Sequence, residues 1–95
     1  MLHLLIHSPF QCDFDALLRV LAKGDDVLLL QDGVLAALEG SEALKKLLEK
    51  DIGLYVLHED ILARGLSARI SLSAGKVSYT DFVALTVKHS QQITW

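Results

Sequence analysis

Two hydrophobic rhythms alternate along the chain: short unbroken apolar runs, and apolar positions that recur every three or four residues. Leu2 to Ile6 is a run ended by Ser8-Pro9, which predicts a buried first strand, because proline cannot continue a central ladder. Asp13 then stands where a helix N-cap belongs. Phe14, Leu17, Leu18 and Leu21 follow at helical spacing, and Gly24 supplies a stop. Val27 to Leu30, four aliphatic residues between Asp25-Asp26 and Asp32-Gly33, predicts a second strand covered on both faces.

Beyond the Gln31-Asp32-Gly33 turn the pattern predicts a short helix over Val34 to Leu38, broken by Gly40. A second helix runs from Glu42 to about Lys50, capped by Ser41, with Leu44, Leu47 and Leu48 on one face. Ile52 to Leu57 reads as a third strand. Glu59 to Arg64 reads as a helix of under two turns, with Gly65 at its stop. Leu66 to Ser73 is serine-rich and fits no single period. Gly75 to Ser78 is a candidate fourth strand. A last helix, capped by Ser78 or Thr80, runs to about Lys88 with Phe82, Val83, Leu85, Thr86 and His89 on mixed faces. Ile93 to Trp95 closes the series as a terminal strand. Strands alternating with helices of this length predict an α/β fold: a single three-layer domain, a mainly parallel sheet with helices on both faces.

Ninety-five residues make one domain spanning 1–95, since a chain of this size cannot hold two cores. Composition adds one thing to the pattern. At 52% hydrophobic, the chain carries more apolar side chain than so small a body easily hides, so part of it is expected to line a partner interface. Nine Lys and Arg against twelve Asp and Glu give a net charge of -3, and only Lys45, Lys46 and Lys50 cluster. Direct nucleic-acid binding is therefore not expected. A single cysteine, Cys12, excludes an internal disulfide and fits a reducing compartment. The opening MLHLLIHSPF does not read as a signal peptide, and no apolar run approaches the roughly 20 residues of a membrane helix. A cytoplasmic location without membrane attachment is expected.

Candidate chemistry is sparse. His3 and His7 share strand parity, but four residues of strand separate them by about 13 Å, too far for one metal ion. His58-Glu59 lacks the second histidine of a zinc-protease helix. No metal site is expected. The turns after the strands lack glycine-rich phosphate loops, and two of them place carboxylates where phosphate would sit, so no cofactor is expected. Cys12 lies just before the first helix, where a helix dipole lowers a thiol pKa, but Asp13 and Asp15 oppose this. No serine sits in a nucleophile elbow. The triplet His58-Glu59-Asp60 occupies a strand end, the usual active-site edge of an α/β sheet. Its plain reading is helix initiation: carboxylates in a first turn favour the dipole, and a polar residue at the strand end can cap free N–H groups.

Four blocks taken together, LHLLIHSPF, VLLLQDGVLAALEG, YVLHEDILARGL and YTDFVALTVKH with the final Trp95, resemble the DsrH-type members of the DsrE/DsrF/DsrH-like sulfur-relay family over essentially the whole chain. The resemblance implies a three-layer α/β fold and a B-type subunit. Such a subunit assembles with TusC-like and TusD-like partners into a heterohexamer of two heterotrimers. The assembly takes persulfide sulfur from a TusA-like carrier and passes it to a TusE-like one, toward 2-thiolation of the wobble uridine in tRNA. In the D-type subunit the sulfur rides on a cysteine in the segment equivalent to YVLHEDILARGL. Leu57 and His58 occupy that neighbourhood here, and Leu17 and Leu18 stand where some relatives carry a cysteine along the first helix.

The resemblance thus implies a structural subunit with no catalytic residue of its own. His58, Glu59, Arg64 and Gly65 would be the shell of a relay site without its thiol, and Phe10, Phe82 and Trp95 are candidate interface aromatics. Two other readings stay open: a sulfurtransferase that carries persulfide on Cys12, and a small-anion-binding domain that uses the strand ends.

Overall fold

A computed structural model describes residues 1–95. Five strands form one sheet: β1 (Leu2–Leu5), β2 (Asp26–Leu29), β3 (Gly53–Leu57), β4 (Gly75–Val77) and β5 (Gln92–Thr94). Their order is β4-β3-β2-β1-β5 and every pairing is parallel. The helices are α1 (Phe14–Val20), α2 (Glu42–Leu48), α3 (His58–Ala63) and α4 (Tyr79–Lys88).

Register decides which side chains share a face. Leu5 pairs with Leu29 and Leu29 with Val56, while Val27 pairs with Leu54. These residues form one core with Phe14 and Leu17 of α1, Leu44 and Leu47 of α2 and Ile61 of α3. The first three crossovers therefore lie on that face. The chain steps from β1 to β4 in one direction and then returns past β1 to place β5, so a right-handed crossover carries α4 over the opposite face. There Lys88 and His89 meet Asp26, whose side chain has the other strand parity. Not one residue of α4 is itself buried, yet Leu2 and Leu28 on this face of the sheet are fully covered.

Local signals place most boundaries. Asp13 accepts the Ala16 N–H and Ser41 accepts the Leu44 N–H, as N-caps should. Of the two candidate caps for α4, Ser78 holds the position: it accepts the Asp81 N–H while the Asp81 carboxylate accepts the Ser78 N–H. Gly65 ends α3 with φ +65°, a left-handed conformation that favours glycine.

Several expected boundaries shift. The short helix expected over Val34–Leu38 is a 3-10 segment, Gln31–Ala37, which starts three residues earlier because Gln31 turns left-handed (φ 52°) directly after β2. The second strand runs Asp26–Leu29 rather than Val27–Leu30, and the third starts at Gly53 rather than Ile52. The helix expected from Glu42 to Lys50 stops at Leu48, where the chain runs out into the exposed residues Glu49, Lys50 and Asp51. The helix expected over Glu59–Arg64 runs His58–Ala63, and the terminal strand Gln92–Thr94 rather than Ile93–Trp95. The fourth ends at Val77, because Ser78 is spent as a cap. Within Leu66–Ser73, Ile70 forms an isolated antiparallel bridge with Leu38.

Candidate functional site

Parallel strands present their C-terminal ends together, and four chain segments meet there: the loop after β1, the 3-10 segment after β2, the start of α3 after β3, and the start of α4 after β4. The triplet His58-Glu59-Asp60 sits on this edge and each of its acids has a structural partner. The Gln31 N–H donates to the Asp60 carboxylate, which holds the left-handed residue that opens the 3-10 segment. The Tyr79 N–H donates to Glu59 Oε1 at 3.4 Å, next to the α4 cap. Arg64 donates through Nε and Nη2 to Asp32 Oδ1 at 3.3 and 3.1 Å, and its Nη1 reaches the Asp60 carbonyl at 3.4 Å. The segment thereby ties the β2 and β4 exits to α3.

His58 itself is exposed, and no side chain caps α3, so the expected capping role falls away. His58 carries no hydrogen bond that would orient it toward a substrate. Leu57 is buried in the fold. Chemically the cluster offers carboxylates and a guanidinium already engaged with main chain and with one another. It offers no thiol, because the only cysteine is Cys12.

Cys12 stands apart from that cluster, in the loop leaving β1. Half-buried, it lines a cleft of about 400 Å³ between that loop, the 3-10 segment and α2. Burial, and secondarily the Asp13 carboxylate, push its thiol pKa above the ordinary value. The strand order reverses between β1 and β5, so the topological switch is flanked by the β1 exit rather than by the β3 exit that carries His58.

The three candidate aromatics have different settings. Phe10 is 91% exposed. Phe82 is half-buried and meets Tyr79 edge-on, ring centroids 5.7 Å apart. Trp95 packs against the core, stacks on His3 with centroids 6.3 Å apart, and donates its indole N–H to His3 Nδ1 at 3.2 Å.

Sequence reasoning took Asp25 and Asp26 only as the boundary of a strand. Both are buried and gather the chain ends at the opposite edge of the sheet. Asp25 Oδ2 meets His3 Nε2 and accepts the Ala22 N–H, both at 3.0 Å, while its Oδ1 accepts from the N-terminal ammonium at 3.1 Å. Asp26 Oδ2 meets His89 Nε2 at 2.7 Å and Lys88 Nζ at 3.1 Å. Burial alone would raise both carboxyl pKa values. The Ala22 amide, His3 and the ammonium overcome it at Asp25, and His89 and Lys88 at Asp26, so both lie below the usual carboxylate value. The signal available beforehand was an acidic pair set against an apolar strand: carboxylates so placed need partners. His3 and His7, weighed as metal ligands, are used separately: His3 bonds Asp25 and Trp95, while His7 Nδ1 bonds the Trp95 carbonyl at 2.9 Å. No group of three or more His, Cys, Asp or Glu is arranged to hold a metal ion. No helix is long and apolar enough to cross a membrane.

The family model of DsrH-like proteins matches residues 7–92. The chain is 61% identical to Protein TusB of Erwinia tasmaniensis over 95 residues, all of both chains. It is 54% identical to Protein TusB of Yersinia pestis, again over the whole of both. Its fold is similar to that of Tm0979 from Thermotoga maritima, solved by solution NMR, with a TM-score of 0.69 and 26% identity over 96% of this chain and 97% of that one. A family match over nearly the whole length, relatives aligned end to end, and the all-parallel five-stranded sheet agree: the chain belongs to the DsrH-like protein family.

Proposed function

We propose that this chain is a non-catalytic structural subunit of a TusBCD-type sulfur-relay complex, which passes persulfide sulfur toward 2-thiolation of the wobble uridine in tRNA. The observation that carries the reading is the state of the β3–α3 segment. At the place where the resemblance puts the D-type subunit's persulfide cysteine, this chain has buried Leu57 and exposed His58, and Glu59, Asp60 and Arg64 are occupied as ties between loops. A persulfide needs a thiol, and neither imidazole nor carboxylate replaces it. Full-length likeness to Protein TusB relatives supports the same assignment.

The partners in this reading are TusC-like and TusD-like subunits, in a heterohexamer of two heterotrimers within the cytoplasm. The TusA-like and TusE-like carriers meet the assembly rather than this chain alone. Direct contact with tRNA is not part of the role, in keeping with the net negative charge. Phe10, Phe82 and Trp95 are the proposed interface aromatics.

Co-expression with TusC-like and TusD-like chains tests the assignment. A stable ternary complex on size exclusion is the expected result, and separate elution at micromolar concentration would sink it. The competing reading, Cys12 as a persulfide carrier, has against it a thiol pKa raised by burial and by Asp13. Sulfur transfer by the assembled complex is expected to survive Cys12→Ser, and its loss would move the chain into the catalytic class. The anion-binding reading predicts a saturable rise in melting temperature with phosphate or sulfate. None is expected, because the strand-end carboxylates repel an anion.

A further inference from the structure

Phe10 stands at the tip of a built turn. The Gln11 N–H donates to the Ser8 carbonyl at 2.9 Å, closing a β-turn with Pro9 and Phe10 at its centre. Pro9 fixes its own φ, and the Phe10 N–H donates to Ser8 Oγ at 3.1 Å. Ser8 is buried, so the turn is anchored in the body of the protein while the phenyl ring at its tip is 91% exposed. The turn fixes the backbone beneath the ring before binding, so that only the side-chain torsions of Phe10 remain to be ordered by a partner.

Behind that turn lies the cleft lined by Cys12, with Phe14, Leu35 and Leu38 among its apolar walls. Its volume of about 400 Å³ suits a large side chain with part of its backbone. Asp13, Asp15 and Glu42 also line it, against one cation, Lys46. The mouth is therefore negative. Nucleic acid and anionic ligands are repelled there, whereas an apolar group with cations on either side finds both of its needs met.

We infer that the Phe10 turn and the cleft behind it form a docking surface for a segment of a partner protein that carries a bulky apolar side chain flanked by lysine or arginine. The inference deepens the subunit reading by naming the surface and the chemistry of what it takes. That reading can hold with a different surface in use.

Cys12 is the sole cysteine and lines the cleft, so its modification reports occupancy. The rate of maleimide labelling is followed by mass spectrometry on the full chain, with an acetylated and amidated Lys-Lys-Phe-Lys-Lys peptide and a matched Glu-Glu-Phe-Glu-Glu control. The basic peptide is expected to slow labelling saturably and the acidic one to leave it unchanged. Phe10→Ala, or Asp15→Lys with Glu42→Lys, is expected to weaken that protection by about tenfold, the scale of one lost anchor. A basic peptide that merely hovered nearby would favour the thiolate and speed the reaction, so the direction of the change discriminates. Equal rates with both peptides, or faster labelling with the basic one, overturn the inference.

A second arm uses the ternary complex. If it forms while Cys12 labels at the free-chain rate and Phe10→Ala leaves it intact, the docking surface falls and the subunit reading stands. Peptide protection without any complex has the reverse meaning. A concentration-dependent dimer of the chain alone, abolished by Phe10→Ala, would assign the surface to a second copy and overturn the proposed partner chemistry.

Discussion

Trp95 donates its indole N–H to Nδ1 of His3, and because an indole can only donate, the proton of His3 must sit on Nε2, where it meets Asp25 Oδ2 at 3.0 Å. One end of the chain thereby sets the tautomer of a histidine at the other end. His3 is 1% exposed, so neither of its bonds is shared with solvent.

Replacing His3 with Phe leaves the Trp95 N–H without its partner and Asp25 Oδ2 with the Ala22 N–H alone. The expected loss is about 1–3 kcal/mol for buried polar groups stripped of their bond. Urea unfolding measures it. Trp95 is the only tryptophan, so a red-shifted native emission would report its release from the stack. A variant as stable as the parent would show that the pair carries no load.

Acid should weaken the fold through Asp25 and Asp26. Both folded-state pKa values lie below the ordinary carboxylate value, so the unfolded chain takes up protons first as pH falls. Their contribution is complete above about pH 5, where unfolded carboxylates are ionised, and is lost as pH drops through about 4 toward the folded values. The urea midpoint between pH 7 and pH 3 follows the change. Asp26→Asn is expected to flatten that acid limb, and an unchanged limb in both single Asn variants would remove these residues as its source.

Gly33 touches β1 so closely that a methyl group there would run into the Leu5 carbonyl. Main chain cannot yield as a flexible side chain does, so Gly33→Ala is expected to cost about 1–3 kcal/mol through overpacking. Gly40, whose added Cβ meets nothing, is limited only by its φ of +81°. Melting temperatures of the two Ala variants compare the causes, with the larger fall expected at Gly33.

The ties of the β3–α3 segment differ in worth. Asp60→Ala removes the acceptor of the Gln31 N–H at a left-handed residue, with an expected cost of about 1–2 kcal/mol. Arg64→Ala breaks an exposed ion pair with Asp32, expected to cost under about 1 kcal/mol. Chemical denaturation of the two variants tests the order. A reversed order would mean that Arg64 holds the segment by more than its pair with Asp32.

The alternation of strand and helix, the caps at Asp13 and Ser41, and the stop at Gly65 were all determined by the sequence itself, whereas the cap of α4 was narrowed only to Ser78 or Thr80. Each is a matter of residues within about four positions, where hydrophobic period, a side-chain acceptor or a left-handed φ decides locally. The family likeness was equally legible, since it rests on the order of blocks along the chain. Tertiary structure alone decided that β5 returns beside β1, that Asp25 and Asp26 serve the two chain ends, and that His58-Glu59-Asp60 and Arg64 hold loops together. His3 and Trp95 are 92 positions apart, and Arg64 and Asp32 are 32. No local period records such pairings. They arise when the sheet stacks its strands in register, and only then does a buried carboxylate find the donor that its burial requires.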